Sequence, residues 1–190
     1  SQGYIDMVET DENTYEVSQI RDAMQRMETI IDDTLELFGE SEEVSEEEMN
    51  EVSLGDIASA AWENVETNQS NLKVVDAVEI ECSEKRSMRL FENMFRNAVE
   101  HNNGSVTVFV GEYSSVDSST RGEKSTGFYI ADNGVGIPEE KRDSVFNLGE
   151  TYSDSGTGLG LSIVERIATG HGWDISVQSG PSDGAKFIFM

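Results

Sequence analysis

The sequence predicts an α+β domain, a two-layer α/β sandwich of helices on a mostly antiparallel sheet, preceded by a partial helical hairpin. Three observations support this prediction. Helical and strand-like hydrophobic periods are mixed along the chain. The last two strand-like runs are joined by a short turn that contains Gly and Pro, which indicates a β-hairpin. A regular apolar seam near the N-terminus indicates paired helices.

The N-terminal part, residues 1–40, is predicted to form the helical hairpin. Between residues 14 and 38, apolar side chains recur at alternating spacings of three and four, which is typical of a coiled-coil or bundle seam; only Thr34 interrupts it. Residues 3–9 resemble the end of a preceding helix, with residues 10–13 as its turn. The alternative is a single core helix of the main domain. The seam residues are Val17, Ile20, Met24, Met27, Ile31 and Phe38.

An acidic segment, residues 41–52, is predicted to be a solvated linker to a domain at residues 53–190. Ser53 suits the N-cap position of the first helix of that domain, because Asp56 stands three residues later. Ser83 is predicted to cap the next helix. The helices are expected at residues 53–65, 84–101 and 158–170, with a short one beginning at Pro138.

Alternation of apolar and polar residues predicts five strands. They are residues 72–80, 106–113, 126–131, 173–178 and 185–190. The polar loop at residues 114–125 is too long for a tight hairpin, whereas residues 180–184 form a short Gly- and Pro-containing turn. Residues 147–156 show no hydrophobic period and are predicted to be a mobile loop.

The charge of the chain is extreme, since 38 acidic residues against 13 basic ones give a formal net charge of −25. Such a surface repels nucleic acid and anionic membranes, which argues against both as direct partners. High salt screens this self-repulsion, so we expect a halophilic origin; an ordinary acidic protein is the alternative.

Other classes of protein are disfavoured by what the sequence lacks. Cys82 is the only cysteine, which rules out an internal disulfide and a Cys-based metal site. No apolar run approaches the ~20 residues of a membrane-spanning helix, and no signal peptide is visible. Because the sequence begins at Ser1, inside a helical pattern, we expect a fragment of a longer protein.

Two glycine clusters and a pair of asparagines predict a nucleotide pocket with a lid. The clusters are residues 132–138 and 156–161, where glycine would let the backbone approach a bulky anion. Asn93 and Asn97 are neighbours on one helix face and could hold a hydrated cation beside that anion. The second cluster is G-x-G-x-G without a preceding strand or a Lys-Ser/Thr pair, so it matches neither the dinucleotide fingerprint nor a P-loop.

These segments resemble, in order, four motifs of the sensor histidine kinases. Residues 90–102 resemble the N box, residues 132–138 the G1 box, Phe146 the F box and residues 156–160 the G2 box. The resemblance implies a GHKL-type ATP-binding catalytic domain with the Bergerat-type fold. The hairpin is similar to part of the dimerisation domain of that family.

The resemblance also implies ATP and Mg²⁺ as cofactors and assigns roles to residues. Asn97, with Asn93, would hold the metal, and Asn97 is the catalytic candidate. Asp132 would accept a hydrogen bond from the adenine amino group, as an ionised carboxylate can. The implied nucleotide-binding residues are Asn93, Asn97, His101, Asp132, Gly134, Gly136, Ile137, Gly156, Thr157, Gly158, Leu159 and Gly160. For His101 an ordinary surface histidine is the alternative.

The implied activity is that of an ATP-dependent protein-histidine kinase in a two-component system. The γ-phosphoryl of ATP would pass to a histidine absent from this fragment, because His101 and His171 are both outside the hairpin. It would then pass to an Asp of a response-regulator receiver domain. We expect the full-length parent protein to form a homodimer through the hairpin. The domain is expected in the cytoplasm, whether or not the parent protein is attached to the membrane.

Two other functions stay open from the sequence. A serine kinase of the anti-sigma type shares the nucleotide fold, but its relatives usually have a Glu base at the position of Asn93 and lack a hairpin. A degenerate nucleotide-binding or scaffold module is favoured by Glu100, where the family often has Lys, and by the lack of Lys and Arg in residues 147–157.

Overall fold

A computed structural model describes scattered positions between Val17 and Leu35, then residues 43–76, 78–102, 104–117, 123–147 and 158–190. The chain divides into two compact units, Ser1–Phe38 and Gly39–Met190. Within the described ranges, no helix is both long and apolar enough to cross a membrane.

In the N-terminal unit, every described position between Val17 and Leu35 is helical, as the apolar seam predicts. Several seam side chains are more than half exposed, including Ile20 at 60% and Met24 at 66%. The first helix of the predicted hairpin, and Phe38, lie outside the described residues.

The described part of the larger unit contains three α-helices: α1 at Leu54–Glu63, α2 at Glu84–Glu100 and α3 at Gly160–Gly170. The Ser53 hydroxyl caps α1 by accepting a hydrogen bond from the Asp56 N–H at 3.3 Å, as predicted. Ser83 stands at the N-cap of α2, but its side chain makes no capping hydrogen bond. Its backbone N–H instead donates to His171.

Among the described residues, seven strands form two sheets. The strands are β1 at Asn50–Ser53, β2 at Asn71–Val74, β3 at Glu79–Cys82, β4 at Thr107–Asp117, β5 at Glu123–Asp132, β6 at Ile175–Ser179 and β7 at Ala185–Phe189. β1 and β3 pair antiparallel, and the other five strands form a sheet in the order β2-β4-β5-β7-β6. Only the β2–β4 pair of that sheet is parallel. The predicted α+β class is therefore confirmed.

Aromatic rings join the helix layer to the large sheet. Phe91 of α2 stacks on Phe128 of β5 at 5.8 Å between ring centroids, and Phe128 stacks on Phe189 of β7 at 4.7 Å. All three side chains are at most 2% exposed. Burial of each stabilises the fold by about 1.5–3 kcal/mol, so these rings fix where α2 lies over the sheet.

Three elements differ from the sequence predictions. The single strand expected at residues 72–80 is two strands in different sheets, with Asp76 between them accepting from the Glu112 N–H at 3.2 Å. The predicted polar loop 114–125 is mostly strand, because β4 and β5 extend to residues 117 and 123. The predicted linker contains a 3₁₀ turn at Glu46–Glu48 and β1, which gains regular structure from pairing with β3.

His171 joins the C-terminal end of α3 to the N-terminal end of α2. Its Nε2 accepts from the Ser83 N–H at 3.0 Å, and its Nδ1 lies 2.7 Å from the Ile167 carbonyl oxygen. The neutral ring satisfies both contacts, with the proton on Nδ1. Burial lowers the pKa of His171 and is the largest effect; the Ile167 carbonyl opposes it, and the smaller effects of Arg86 and Glu48 lower and raise the pKa, respectively.

This contact predicts a pH-dependent stability. The pKa of His171 is lower in the folded chain than in the unfolded chain, where it is 6.5. The stabilisation that the neutral His171 ring gives the fold is therefore complete above pH 6.5 and is lost as the pH falls below 6.5. We expect the free energy of unfolding to fall between pH 7.5 and 5.5, measured by urea denaturation. His171→Gln should remove this component and His101→Gln should retain it; the same pH profile in native protein and His171→Gln would contradict the assignment.

Candidate nucleotide-binding site

A cavity of about 370 Å³ lies between α2 and the end of β5. This volume is within the range of small-molecule sites, roughly 300–1,000 Å³. Apolar side chains form most of its wall, with a few polar groups among them. The lining includes Met94, Asn97, His101, Asn102, Ile130, Asp132, Gly136, Ile137, Lys141, Val145, Leu161 and Ala185.

Asp132, the last residue of β5, lies at this cavity and is only 8% exposed. Its Oδ1 accepts from the Gly134 N–H at 2.8 Å and from the Ala185 N–H at 3.4 Å. Burial raises the pKa of the Asp132 carboxyl, and these two hydrogen bonds oppose the rise. Both bonds use Oδ1, so among the described residues no donor engages Oδ2, which remains an acceptor for a ligand.

The loop after β5 packs tightly on the turn between β6 and β7. Gly136 has φ +67°, and a Cβ there would overlap the Asp183 carbonyl oxygen. A Cβ on Gly184 would likewise overlap the Asp132 carbonyl oxygen. Glycine is therefore required at position 136 in the loop and at position 184 in the turn. The close packing of the loop on the turn brings the Ala185 N–H to Asp132.

Asn93 and Asn97 direct their amides toward the start of α3. Asn93 is 4% exposed, and its Nδ2 donates to the Arg89 carbonyl at 2.9 Å. The Oδ1 atoms of both asparagines lie 3.3 Å from the point where a Cβ on Gly160 would stand. The Nδ2 of Asn97 is buried without a hydrogen-bond partner among the described residues. A ligand at the start of α3 would satisfy this group.

The second glycine cluster leads into α3, as predicted. Gly158 has φ +69°, and α3 begins at Gly160, where its first backbone N–H groups and helix dipole favour an anion. Leu159 precedes the helix in the N-cap position. Gly156 and Thr157, also predicted as site residues, lie outside the described residues.

The structure thus gathers part of the predicted set around one cavity. The lining includes Asn97, His101, Asp132, Gly136 and Ile137. Three more predicted residues contact lining residues: Asn93 and Gly160 adjoin Asn97, and Gly134 donates to Asp132. Leu161 lines the cavity, whereas Gly158 and Leu159 do not.

Sequence reasoning missed several lining residues. Lys141 brings a cation to the cavity wall from the turn after Pro138, outside the segment 147–157 that lacks basic residues. Ala185 depends on the pairing of β5 with β7, which no local pattern reveals. Asn102 was included in the N-box resemblance, but without a role of its own.

Three hydrogen bonds hold the segments that flank the cavity. Arg142 donates from Nε to the Ile137 carbonyl at 3.1 Å and from its guanidinium to the Ser179 hydroxyl at 2.9 Å. The Ser162 hydroxyl of α3 donates to the Phe146 carbonyl at 2.9 Å. The Phe146 ring also packs edge-on against Phe187, a lining residue, at 6.2 Å. Phe146 is thereby anchored to the core.

The cavity thus brings a buried carboxylate, a pair of amides and a helix N-terminus together in a domain of the α+β sandwich class. Residues 82–190 match the family model described as "Histidine kinase-, DNA gyrase B-, and HSP90-like ATPase". The chain belongs to this family.

Curated relatives of this chain include sensor kinases. The sensor-type histidine kinase PrrB of Mycobacterium tuberculosis is 38% identical over 100 residues, which are 51% of this chain and 21% of the relative. The sensor histidine kinase ZraS of Klebsiella oxytoca is 31% identical over 112 residues, 58% of this chain and 22% of the relative. The chain therefore spans about a fifth of the length of these relatives.

Solved structures confirm the fold. The mycobacterial sensor histidine kinase MprB has a TM-score of 0.60 at 22% identity, covering 74% of this chain and 95% of that one. Full-length ShkA, solved in complex with AMPPNP, has a TM-score of 0.66 at 21% identity, covering 94% of this chain and 38% of that one. The two-layer sandwich predicted from the sequence is the architecture of this family.

Proposed function

We propose that this chain is the ATP-binding catalytic domain of a two-component sensor histidine kinase, with part of the dimerisation hairpin before it. The observation that carries the proposal is the cavity itself. It has a buried acceptor, Asp132, in its wall and the converging Oδ1 atoms of Asn93 and Asn97 beside it at the start of α3. The family relationship and the sensor kinases among its relatives support the same function.

Asp132 accounts for the choice of base. Its Oδ2 would accept a hydrogen bond from the 6-amino group of adenine, while Oδ1 stays fixed by the Gly134 and Ala185 N–H groups. Guanine carries a carbonyl oxygen at the same ring position, and two acceptors facing each other repel. The apolar wall from Met94 and Ile130 suits a purine ring.

Asn93 and Asn97 fit a magnesium site. Asn93 commits its Nδ2 to Arg89, which leaves its Oδ1 as a ligand, and the Oδ1 of Asn97 faces the same point. Amide oxygens are hard donors that suit Mg²⁺, and no group of three or more His, Cys, Asp or Glu suited to a metal occurs among the described residues. When bound, Mg²⁺ would neutralise charge on the phosphates, with Asn93 and Asn97 holding it.

The remaining groups would position the triphosphate. The N-terminus of α3 offers backbone N–H groups to the phosphates, and Lys141 adds a cation at the cavity wall. In the transfer step a histidine nitrogen attacks the γ-phosphorus, the bond to the β–γ bridging oxygen breaks, and ADP leaves. The domain mainly aligns ATP for this step.

The acceptor histidine would lie outside this sequence. His101 lines the cavity and His171 joins α2 to α3, so neither is on the N-terminal unit. In the proposal, the exposed apolar seam of that unit pairs two copies in the parent protein, and the phosphoryl group passes on to a response-regulator Asp. We place the domain in the cytoplasm.

Glu100 and the lack of basic residues in positions 147–157 favour a second candidate, a degenerate scaffold module that binds ATP weakly or not at all. A serine kinase of the anti-sigma type is disfavoured, because Asn93 is an amide that cannot act as a carboxylate base.

The first prediction concerns Asp132. Asp132→Asn replaces the acceptor with an amide, and we expect Mg·ATP to bind about 10- to 100-fold more weakly by calorimetry in molar KCl. Asp174→Asn is the matched control, since it removes one carboxylate at an exposed position outside the cavity lining. Absence of Mg·ATP binding by the native chain would instead support the scaffold.

We also propose that the protein is adapted to high salt, which the charge of −25 favours. Glu51 of β1 and Glu81 of β3 are exposed and stand directly opposite each other. Like charges in this arrangement repel, and salt weakens the repulsion.

The salt proposal predicts that the free energy of unfolding rises steadily from 0.1 to 2 M KCl. Glu81→Gln should raise it by about 0.5 kcal/mol at 0.1 M KCl and hardly at all at 2 M, because the cross-strand repulsion is then already screened. Thermal or urea unfolding measures both effects. A native stability independent of KCl would rule out salt adaptation.

A further inference from the structure

Asn102 links α2 to the loop that follows β5. Its Nδ2 donates to the Ala98 carbonyl near the end of α2 at 2.6 Å. Its Oδ1 accepts from the Val135 N–H at 2.8 Å. A single side-chain amide, itself part of the cavity wall, therefore joins the helix to the loop.

Gly134 packs directly against this amide. A Cβ on Gly134 would overlap the Oδ1, Nδ2 and Cγ atoms of Asn102, which are the three nearest atoms to that point. Gly134 is not among the glycines with positive φ, so the Asn102 contact, and not the backbone conformation, requires glycine here. The Gly134 N–H in turn donates to Asp132 Oδ1 at 2.8 Å.

We propose that Asn102 is a positioning residue that sets selectivity for adenine over guanine. It holds Gly134 and Val135 against α2, and Gly134 fixes the carboxylate of Asp132. Because Asn93 and Asn97 are on the same helix, Asn102 also sets the distance between the base end and the metal end of the cavity. This inference rests on the function proposed above.

The physical reason is that a carboxylate selects a base only if its direction is fixed. Without the Asn102 amide, the Val135 N–H and the Ala98 carbonyl lose their partner, and Gly134 loses the surface against which it packs. The Asp132 carboxylate can then turn away from a guanine carbonyl and also from the adenine amino group. Affinity for ATP should fall more than affinity for GTP.

The test compares the dissociation constants of Mg·ATP and Mg·GTP by calorimetry in molar KCl. In Asn102→Ala the dissociation constant of Mg·GTP divided by that of Mg·ATP should fall about tenfold. A change of this size is expected when the hydrogen bond between Asp132 and adenine is lost because Asp132 is no longer held in place. Asn64→Ala is the matched control, because the Asn64 amide also links two segments, donating from the end of α1 to Glu92 of α2 at 2.7 Å, but lies outside the cavity lining. Equal weakening of both nucleotides, or no change, would overturn the proposal.

Gly134→Ala tests the same contact from its other side. Used alone it should also lower the GTP-to-ATP ratio of dissociation constants about tenfold, so it replaces Asn102→Ala if that variant does not fold, and equal weakening of both nucleotides would overturn the proposal. Alone, it should weaken Mg·ATP binding about tenfold or more; in the Asn102→Ala background it should add about threefold or less, since the overlapping amide is gone. Additive effects would overturn the proposal.

Amide hydrogen exchange separates the failure of this inference from that of the proposed function, since it needs no nucleotide. Exchange of the Val135 N–H should be about tenfold faster in Asn102→Ala and unchanged in Asn64→Ala. Unchanged exchange together with normal ATP binding would overturn the role of Asn102 alone. If the Val135 N–H exchanges faster in Asn102→Ala but the native chain binds no nucleotide, the proposed function is overturned, and the selectivity role of Asn102 with it.

Discussion

The burial of the Asp132 carboxylate is the constraint on which the rest of the site depends. A buried carboxylate is costly unless it is hydrogen-bonded, and here the described part of the chain supplies two backbone donors, both to Oδ1. One donor comes from the loop after β5. The other comes from β7, which the sheet places beside β5 through the pairing of Ala131 with Lys186. The sheet thus positions the carboxylate, and its second oxygen remains available to a ligand.

The helix layer forms the other end of the cavity, and its contacts fix the position of that end relative to Asp132. The start of α3 lies against Asn93 and Asn97 of α2, where Gly160 permits close approach. At the opposite ends of the same two helices, His171 accepts from the Ser83 N–H. Contacts at both ends therefore fix α3 against α2, and the aromatic stack through Phe128 fixes α2 against the sheet. This arrangement turns separate motifs into one cavity.

Local patterns were sufficient to predict the three helices of residues 53–190 and the fold class, whereas the candidate site residues came from the family resemblance. The period of α2 places Asn93 and Asn97 on one face, and Ser53 caps α1 as its spacing with Asp56 predicts. Long-range pairing was not predictable in the same way. Nothing in residues 72–80 shows that β2 pairs with β4 while β3 pairs with β1. The roles of Ala185 and Asn102 likewise depend on contacts between residues more than thirty positions apart.

The most direct test of the account is a crystal structure of this chain with Mg²⁺ and a non-hydrolysable ATP analogue. We expect the adenine amino group within hydrogen-bond distance of Asp132 Oδ2, and Mg²⁺ between the phosphates and the Oδ1 atoms of Asn97 and Asn93. A nucleotide bound elsewhere, or one in this cavity with its base turned away from Asp132, would contradict the account.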